Sequence, residues 1–374
     1  MRGVWFATLL AGCGAGCIDR PPPTKEHVGN LLFHDPNLSR PAGQGCVDCH
    51  DPHLQFADPE GDRSSAGVIK GRVGPRNAPT VMYASYVPPL HWDSDLGEYA
   101  GGLFWDGRAD TLAGQAALPL LNPLEMNNPD KASVVESVRK AKYAGELRKI
   151  YGRHALDNVD EAFGYITDAL GAFQRQDMFA PFSSKYDRYL AGKETLTAQE
   201  ARGLAIFEDP ARGNCASCHP SQPSAGGQPP MFTNYTYANL GLPKFRNSMF
   251  YMPSELNPEG EAYVDHGLGK TLGGAPEQDG KFRTPTLRNV ARTPPYGHNG
   301  YFMNLREFVD FLNTRDVGST NTVGTCSRMP GTSPACAWPV PEVAHNLDPR
   351  IGNLHLSDQD IDDLLAFLLT LNDE

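Results

Sequence analysis

A long apolar run is the first thing this sequence lacks. Beyond the opening dozen residues, no stretch of its 374 is long and apolar enough to span a bilayer. A surplus of basic charge is missing too. Lys and Arg total 33 against 44 Asp and Glu, a formal net charge of −11, which speaks against a nucleic-acid partner. Strand-like alternation is scarce, while 38 Gly and 32 Pro are spread through the chain. Helices joined by long loops fit that composition, and the length suggests two domains. Cysteine is sparse, and the eight present fall into pairs.

Two of those pairs are alike. Residues 46–50 read Cys46-Val47-Asp48-Cys49-His50, and residues 215–219 read Cys215-Ala216-Ser217-Cys218-His219. Both are C-x-x-C-H, the spacing that attaches a c-type haem through two thioether bonds, with the adjacent histidine as proximal iron ligand. A single copy could be accidental, a zinc half-site or a redox dithiol. Two copies, each ending in histidine, point to two covalent haems.

The first residues, Met1 to Cys13, carry one positive charge, a short apolar run and then small residues, as an export signal does. Leu10-Ala11-Gly12-Cys13 resembles a bacterial lipobox, which makes Cys13 the expected lipidation site and Cys17 a second choice. An ordinary cleaved signal would discard both. Either case places the mature chain in the periplasm, where a lipid at Cys13 would attach it to a membrane. Cys326 and Cys336 flank a loop with Pro and Gly, and in an oxidising compartment a structural disulfide is expected there; a free pair is the alternative.

The expected organisation is a signal over 1–17, a Pro-rich tether over 18–30, a first haem domain over 31–190 and a second over 191–374. Helical spacing is read over 130–151 and 159–174. Thr197 with Glu200 forms a capping box that opens a helix leading to Cys215. A short amphipathic helix is read over 305–313, and a last one from Ser357 to Leu371. The fold class is mainly α: two loop-rich cytochrome c-like domains, a diverged duplication with one haem each.

Longer motifs sharpen this picture. Arg76-Asn77-Ala78-Pro79-Thr80, Phe104-Trp105-Asp106-Gly107-Arg108, Asn122-Pro123-Leu124-Glu125-Met126 and the run Arg283 to Val290 resemble the bacterial dihaem cytochrome c peroxidase and MauG superfamily over most of residues 25–374. The resemblance implies that Glu125 is the acid–base residue that shifts a proton between peroxide oxygens above the first haem. Gln115 would be the amide beside it, and Trp105 the electron relay between haems. Asn77, Thr293 and Pro295 match positions that hold a calcium ion through oxygen donors.

Two departures from the family pattern stand out. Many of the peroxidases place a histidine shortly before the R-N-A-P-T segment, capping the first iron. Here that position is Ile69, flanked by Val68 and Lys70, so an open first haem is expected. The second haem's sixth ligand, Met or Tyr in the family, falls at Leu312, which cannot bind iron. His298 and Met303 lie nearby, whereas His53, His91, His266 and His345 read as polar loop residues. Both departures favour the MauG-like branch. The expected function is then formation of a high-valent iron state with hydrogen peroxide and oxidation of an exported partner protein, including a tryptophan-to-kynurenine conversion of the MbnH-like kind. Reduction of peroxide to water with electrons from a small redox protein is the first alternative. A dihaem electron carrier with no catalysis is the second.

Overall fold

The computed structural model describes residues 21–59, 63–317 and 337–374. The expected signal with Cys13 and Cys17, and the expected disulfide between Cys326 and Cys336, lie outside the described residues.

Among the described residues the chain is mainly helical, with two large apolar cores and two smaller clusters. The first core is organised by helix α1 (Lys25–Phe33), capped by Thr24, whose hydroxyl accepts from the His27 N–H at 3.2 Å. Val28 and Leu32, one turn apart, are fully buried, so the helix begins inside the expected tether, which ends at Thr24 rather than at residue 30. Helix α2 (Leu112–Leu121) follows, capped by Thr111. The helical signal over 130–151 resolves into α3 (Lys131–Lys140) and α4 (Ala144–Tyr151). The break has a tertiary cause. Tyr143, at the joint, is buried and its hydroxyl donates to Asp35 Oδ2 at 2.5 Å. Helix α5 (Val159–Phe173) matches expectation and buries Phe163, Ile166, Ala169, Leu170 and Phe173. Each Phe, Ile or Leu among them, removed from water, contributes about 1.5–3 kcal/mol.

The second core starts with α6 (Lys185–Leu190), whose Tyr186 is buried among C-terminal residues. Phe182 still packs on the first core, so the cores divide between Phe182 and Tyr186, a few residues before the expected 190. Helix α7 (Ala198–Glu208) opens with the anticipated Thr197–Glu200 box, two reciprocal bonds of 2.7 and 3.2 Å. After the short α8 (Leu268–Thr271) come α9 (Leu305–Thr314) and α10 (Asp358–Leu369), capped by Asn304 and Ser357.

The two cores repeat one device. Gly29 of α1 lies against α5 so closely that a Cβ would sit 2.0 Å from the Ala169 carbonyl oxygen. Gly203 of α7 lies against α10 in the same way, 2.0 Å from the Asp363 carbonyl oxygen. Each glycine-bearing helix is the one that precedes a C-x-x-C-H motif, which supports the duplication. Strands are few among the described residues. β1 (His91–Asp93) pairs with β2 (Glu98–Ala100), and β3 (Tyr237–Ala238) with β4 (Phe282–Arg283), both antiparallel. A bridge from Ala100 to Thr236 ties the two ladders together across the halves.

Candidate active site

Each C-x-x-C-H motif forms a 3₁₀ turn, Cys46–Asp48 and Cys215–Ser217. The histidine N–H bonds back to the first cysteine carbonyl, at 3.0 Å for His50 and 2.9 Å for His219. Further on, a buried phenylalanine with a left-handed backbone, Phe56 (φ 54°) or Phe232 (φ 51°), presents its carbonyl oxygen to histidine Nδ1. Those distances are 3.2 and 2.7 Å. Bulky residues at positive φ cost on the order of 1–3 kcal/mol, and such strain is held where geometry matters. Here it fixes the tautomer that carries its proton on Nδ1 and leaves Nε2 as the ligand atom. Burial lowers the pKa of both histidines, His219 to about 4, so each imidazole is neutral, as iron ligation requires. Burial pushes the thiols of Cys46, Cys49 and Cys215 up to about 12. All four motif cysteines are unpaired. A redox dithiol needs a lowered thiol pKa, and zinc needs four ligands. Among the described residues, no group of three or more His, Cys, Asp or Glu is placed to hold a metal. The motifs therefore fit haem and not its rivals.

A cavity of about 310 Å³ opens beside the first motif. It is lined by Cys46, Cys49 and His50, by Gln115 and Glu125, and by Trp105. The sequence builds the Glu125 corner locally. Pro123 forbids α2 to continue through Asn122. The Asn122 side chain then accepts from the Leu124 N–H at 3.0 Å and donates to Glu125 Oε1 at 2.6 Å. Behind the turn, the Val68 N–H donates to the Glu125 carbonyl at 2.9 Å. Gly67 permits that approach, since a Cβ there would stand 2.2 Å from the Leu124 carbonyl oxygen. Burial raises the Glu125 carboxyl pKa, opposed by the Asn122 hydrogen bond and by Arg108. Glu125 Oε2 takes no hydrogen bond from the described residues. This is a carboxyl that gains and loses a proton more readily than one fixed by an ion pair.

Trp105 stands where the two halves meet. Its indole N–H donates to the Asn77 carbonyl at 2.9 Å, and its own carbonyl accepts from the Arg283 N–H at 2.8 Å. Next to it, Arg76 joins Asp106 of the first half to Asp265 of the second through ion pairs of 2.7 Å each. Arg76 holds the buried Asp265 carboxyl well below the usual range. The expected calcium residues also converge, for Asn77, Thr293 and Pro295 all line the cavity. Asn77 Nδ2 donates to the Pro295 carbonyl at 2.8 Å, so the pair satisfies itself directly. An ion there would need the amide oxygen turned inward and would find no carboxylate among the three.

The structure also places the residues of the two departures. Apart from His50, no histidine lines the cavity. Ile69 sits in the hairpin-like turn between Ala66 and Val73, outside the cavity lining. Leu312 packs in an apolar cluster with Phe302 and Phe311. His298 is buried, its ring stacked on Phe282 at 3.5 Å, and Met303 is 41% exposed. His266 and His345 bracket Asp279 at 2.6 and 2.9 Å, away from either motif. His53 and His91 lie exposed in turns or at a strand edge. Sequence reasoning passed over Phe56, Phe232, Asn122 and Gly67. Only Asn122, within its motif, left a readable signal.

Comparison with known proteins agrees with this geometry. Residues 23–195 match the family model described as di-haem cytochrome c peroxidase. The chain is 39% identical to the methylamine utilization protein MauG of Paracoccus denitrificans, covering 98% of this chain and 94% of that protein. It is 27% identical to the cytochrome c551 peroxidase of Nitrosomonas europaea, over 86% and 85% of the two. Among solved structures, the diheme peroxidase BthA of Burkholderia thailandensis superposes with a TM-score of 0.80 at 35% identity, covering 95% and 87% of the chains. A MauG-like protein associated with microbial copper homeostasis superposes with a TM-score of 0.67 at 26% identity, over 96% and 92%. The chain belongs to the dihaem cytochrome c peroxidase and MauG family, and is a haem oxidoreductase that uses hydrogen peroxide.

Proposed function

We propose that this enzyme uses hydrogen peroxide to oxidise a partner protein exported to the same compartment. The observation that carries the proposal is the cavity lining: Glu125 and Gln115 line the same cavity as His50, and among the described residues no second histidine lines it. A c-type haem on Cys46, Cys49 and His50 would supply a redox-active iron for peroxide oxygen. Glu125 would take the proton from the inner peroxide oxygen at Oε2 and return it to the outer one, so that water leaves. The Gln115 amide would orient the bound oxygen. The Phe56 carbonyl holds His50 in the tautomer that pushes electron density from Nε2. Buried Leu120, Met82 and Met126 keep bulk water out.

The second motif, with Cys215, Cys218 and His219, would hold a haem that stores and exchanges charge through Trp105. The indole N–H of Trp105 donates to a carbonyl rather than to a base, so an oxidised indole there would keep its proton. Calcium at Asn77, Thr293 and Pro295 would brace this junction. Two haem domains that divide between Phe182 and Tyr186, periplasmic location and a lipid at Cys13 belong to the same proposal. Conversion of a partner tryptophan to kynurenine is its finest form. Two peroxides would carry the indole to N-formylkynurenine with release of two waters, and hydrolysis would release formate.

Stoichiometric peroxide added to the resting ferric enzyme, with no prior reduction, tests the proposal. A prompt absorption change and slow turnover with reduced cytochrome c are expected. Rapid cytochrome turnover would favour the reduction of peroxide to water, the activity for which several relatives are named. No spectral response would leave an electron carrier.

A further inference from the structure

Three arginines line the cavity beside the first motif: Arg76, Arg108 and Arg283. The protein itself neutralises two of them. Arg76 pairs with Asp106 and Asp265, and Arg108 with Asp106, each at 2.7 Å. Arg288, fully buried outside the cavity lining, pairs with Asp187 at 2.8 Å. Arg283 differs. Among the described residues its guanidinium meets no carboxylate and donates only to the carbonyls of Phe104 at 3.3 Å and Thr284 at 3.5 Å. Burial depresses its pKa, whereas Arg76 and Arg288, against the pull of burial, are held above the usual value by their aspartates. A cation buried without a counter-charge is strongly disfavoured, so the group that fills the cavity has to bring the anion.

The surroundings of Arg283 suit a carboxylate. β4 pairs Arg283 with Tyr237 of β3, and the Tyr237 hydroxyl is already engaged, donating to the Gly101 carbonyl at 2.6 Å. Tyr235 also lines the cavity, and its hydroxyl has no hydrogen-bond partner among the described residues. Burial raises the Tyr235 pKa to about 12 and the Arg283 charge opposes that rise, so the two groups share one corner. The Tyr235 backbone is left-handed (φ 60°). Its N–H donates to the Thr233 hydroxyl at 2.9 Å, and its carbonyl accepts from the Gly101 N–H at 3.1 Å. Strain of this kind is held where side-chain placement matters. The corner offers a guanidinium and a phenolic O–H to one anion, and a charge-assisted contact to a carboxylate is the strongest bond it can make. A haem brings two carboxylates, its propionates, on an edge of the macrocycle that the thioether bonds leave free.

We infer that Arg283 and Tyr235 bind a propionate of the haem held at Cys46, Cys49 and His50, and thereby set its reduction potential. The inference rests on the dihaem reading proposed above. An ionised propionate favours ferric iron, and pairing it with a cation shifts the balance toward ferrous iron.

Spectroelectrochemical titration of the dihaem protein, with resonance Raman spectra of the propionate bending band, tests it. Arg283→Gln removes the charge. One midpoint potential is expected to fall, that of the haem whose ferric spectrum responds to peroxide, and the propionate band to shift. Arg283→Lys keeps the charge without the planar fork, so the potential should stay near the wild-type value while the band still shifts. Tyr235→Phe should lower the potential by less than Arg283→Gln does. Unchanged potentials in Arg283→Gln with both haems present would overturn the inference. A lowered potential with an unaltered propionate band would make Arg283 a distant charge and overturn it too. Should Arg283→Gln not fold, an unaltered band in both Arg283→Lys and Tyr235→Phe would be decisive against it. Fewer than two haems per wild-type chain would instead overturn the dihaem reading itself, and the inference with it.

Discussion

The proton transfer proposed for Glu125 depends on what the carboxyl lacks as much as on what holds it. One hydrogen bond from Asn122 fixes Oε1, no ion pair among the described residues locks the carboxylate, and burial raises its pKa. Glu125→Gln keeps the shape and removes the proton acceptor. The rate of the peroxide reaction, followed by stopped-flow absorbance, is expected to fall about 100- to 10,000-fold, the range associated with a positioned acid–base group. The pH profile carries the sign of the shift. Only the deprotonated carboxyl can accept a proton, so the rate should climb with pH through a pKa above the ordinary carboxylate range. In Glu125→Gln that rise should vanish; a surviving rise would assign it to another group.

At the scale of elements, the sequence was legible wherever a signal was local. The Thr197–Glu200 and Ser357–Asp360 boxes close within four residues, and both helices begin where they stand. The apolar spacing of Phe163, Ile166 and Phe173 likewise marked α5. The split between α3 and α4 was hidden because its cause, the Tyr143–Asp35 bond, spans over a hundred positions of chain. Helix α1 was masked by the prolines before it. The left-handed Phe56 and Phe232 left no trace, since nothing in a phenylalanine announces a positive φ. The paired crossings of α1 with α5 and α7 with α10 make a separate prediction. Gly203→Ala forces a Cβ against the Asp363 carbonyl and should cost about 1–3 kcal/mol by overpacking in urea unfolding. Gly145→Ala, on an open face of α4, should instead be neutral or stabilise by about 0.4–1 kcal/mol. Equal effects at the two sites would refute the close-packing argument.

Across the whole molecule, the long family motifs turn out to serve as joints between the halves. Arg288 is fully buried, pairs with Asp187 at 2.8 Å and lies over the Tyr83 and Phe182 rings. Asn289 and Tyr83 both hold Asp373 near the C-terminus at 2.8 Å. Trp105 lies at this junction, so Trp105→Phe is expected to slow charge sharing between the haems while the unfolding midpoint changes little. Simultaneous loss of both would mark Trp105 as a packing residue alone. A calcium ion at Asn77, Thr293 and Pro295 would act at the same junction; treatment with a strong chelator is expected to perturb the spectra of both haems, and unaltered spectra would remove the ion. The most direct test is rapid mixing of the resting ferric protein with one equivalent of hydrogen peroxide and no reductant. An open first site predicts an immediate absorption change that spreads to both haems and is lost in Glu125→Gln. A protein that stays unchanged until it has first been reduced would contradict it.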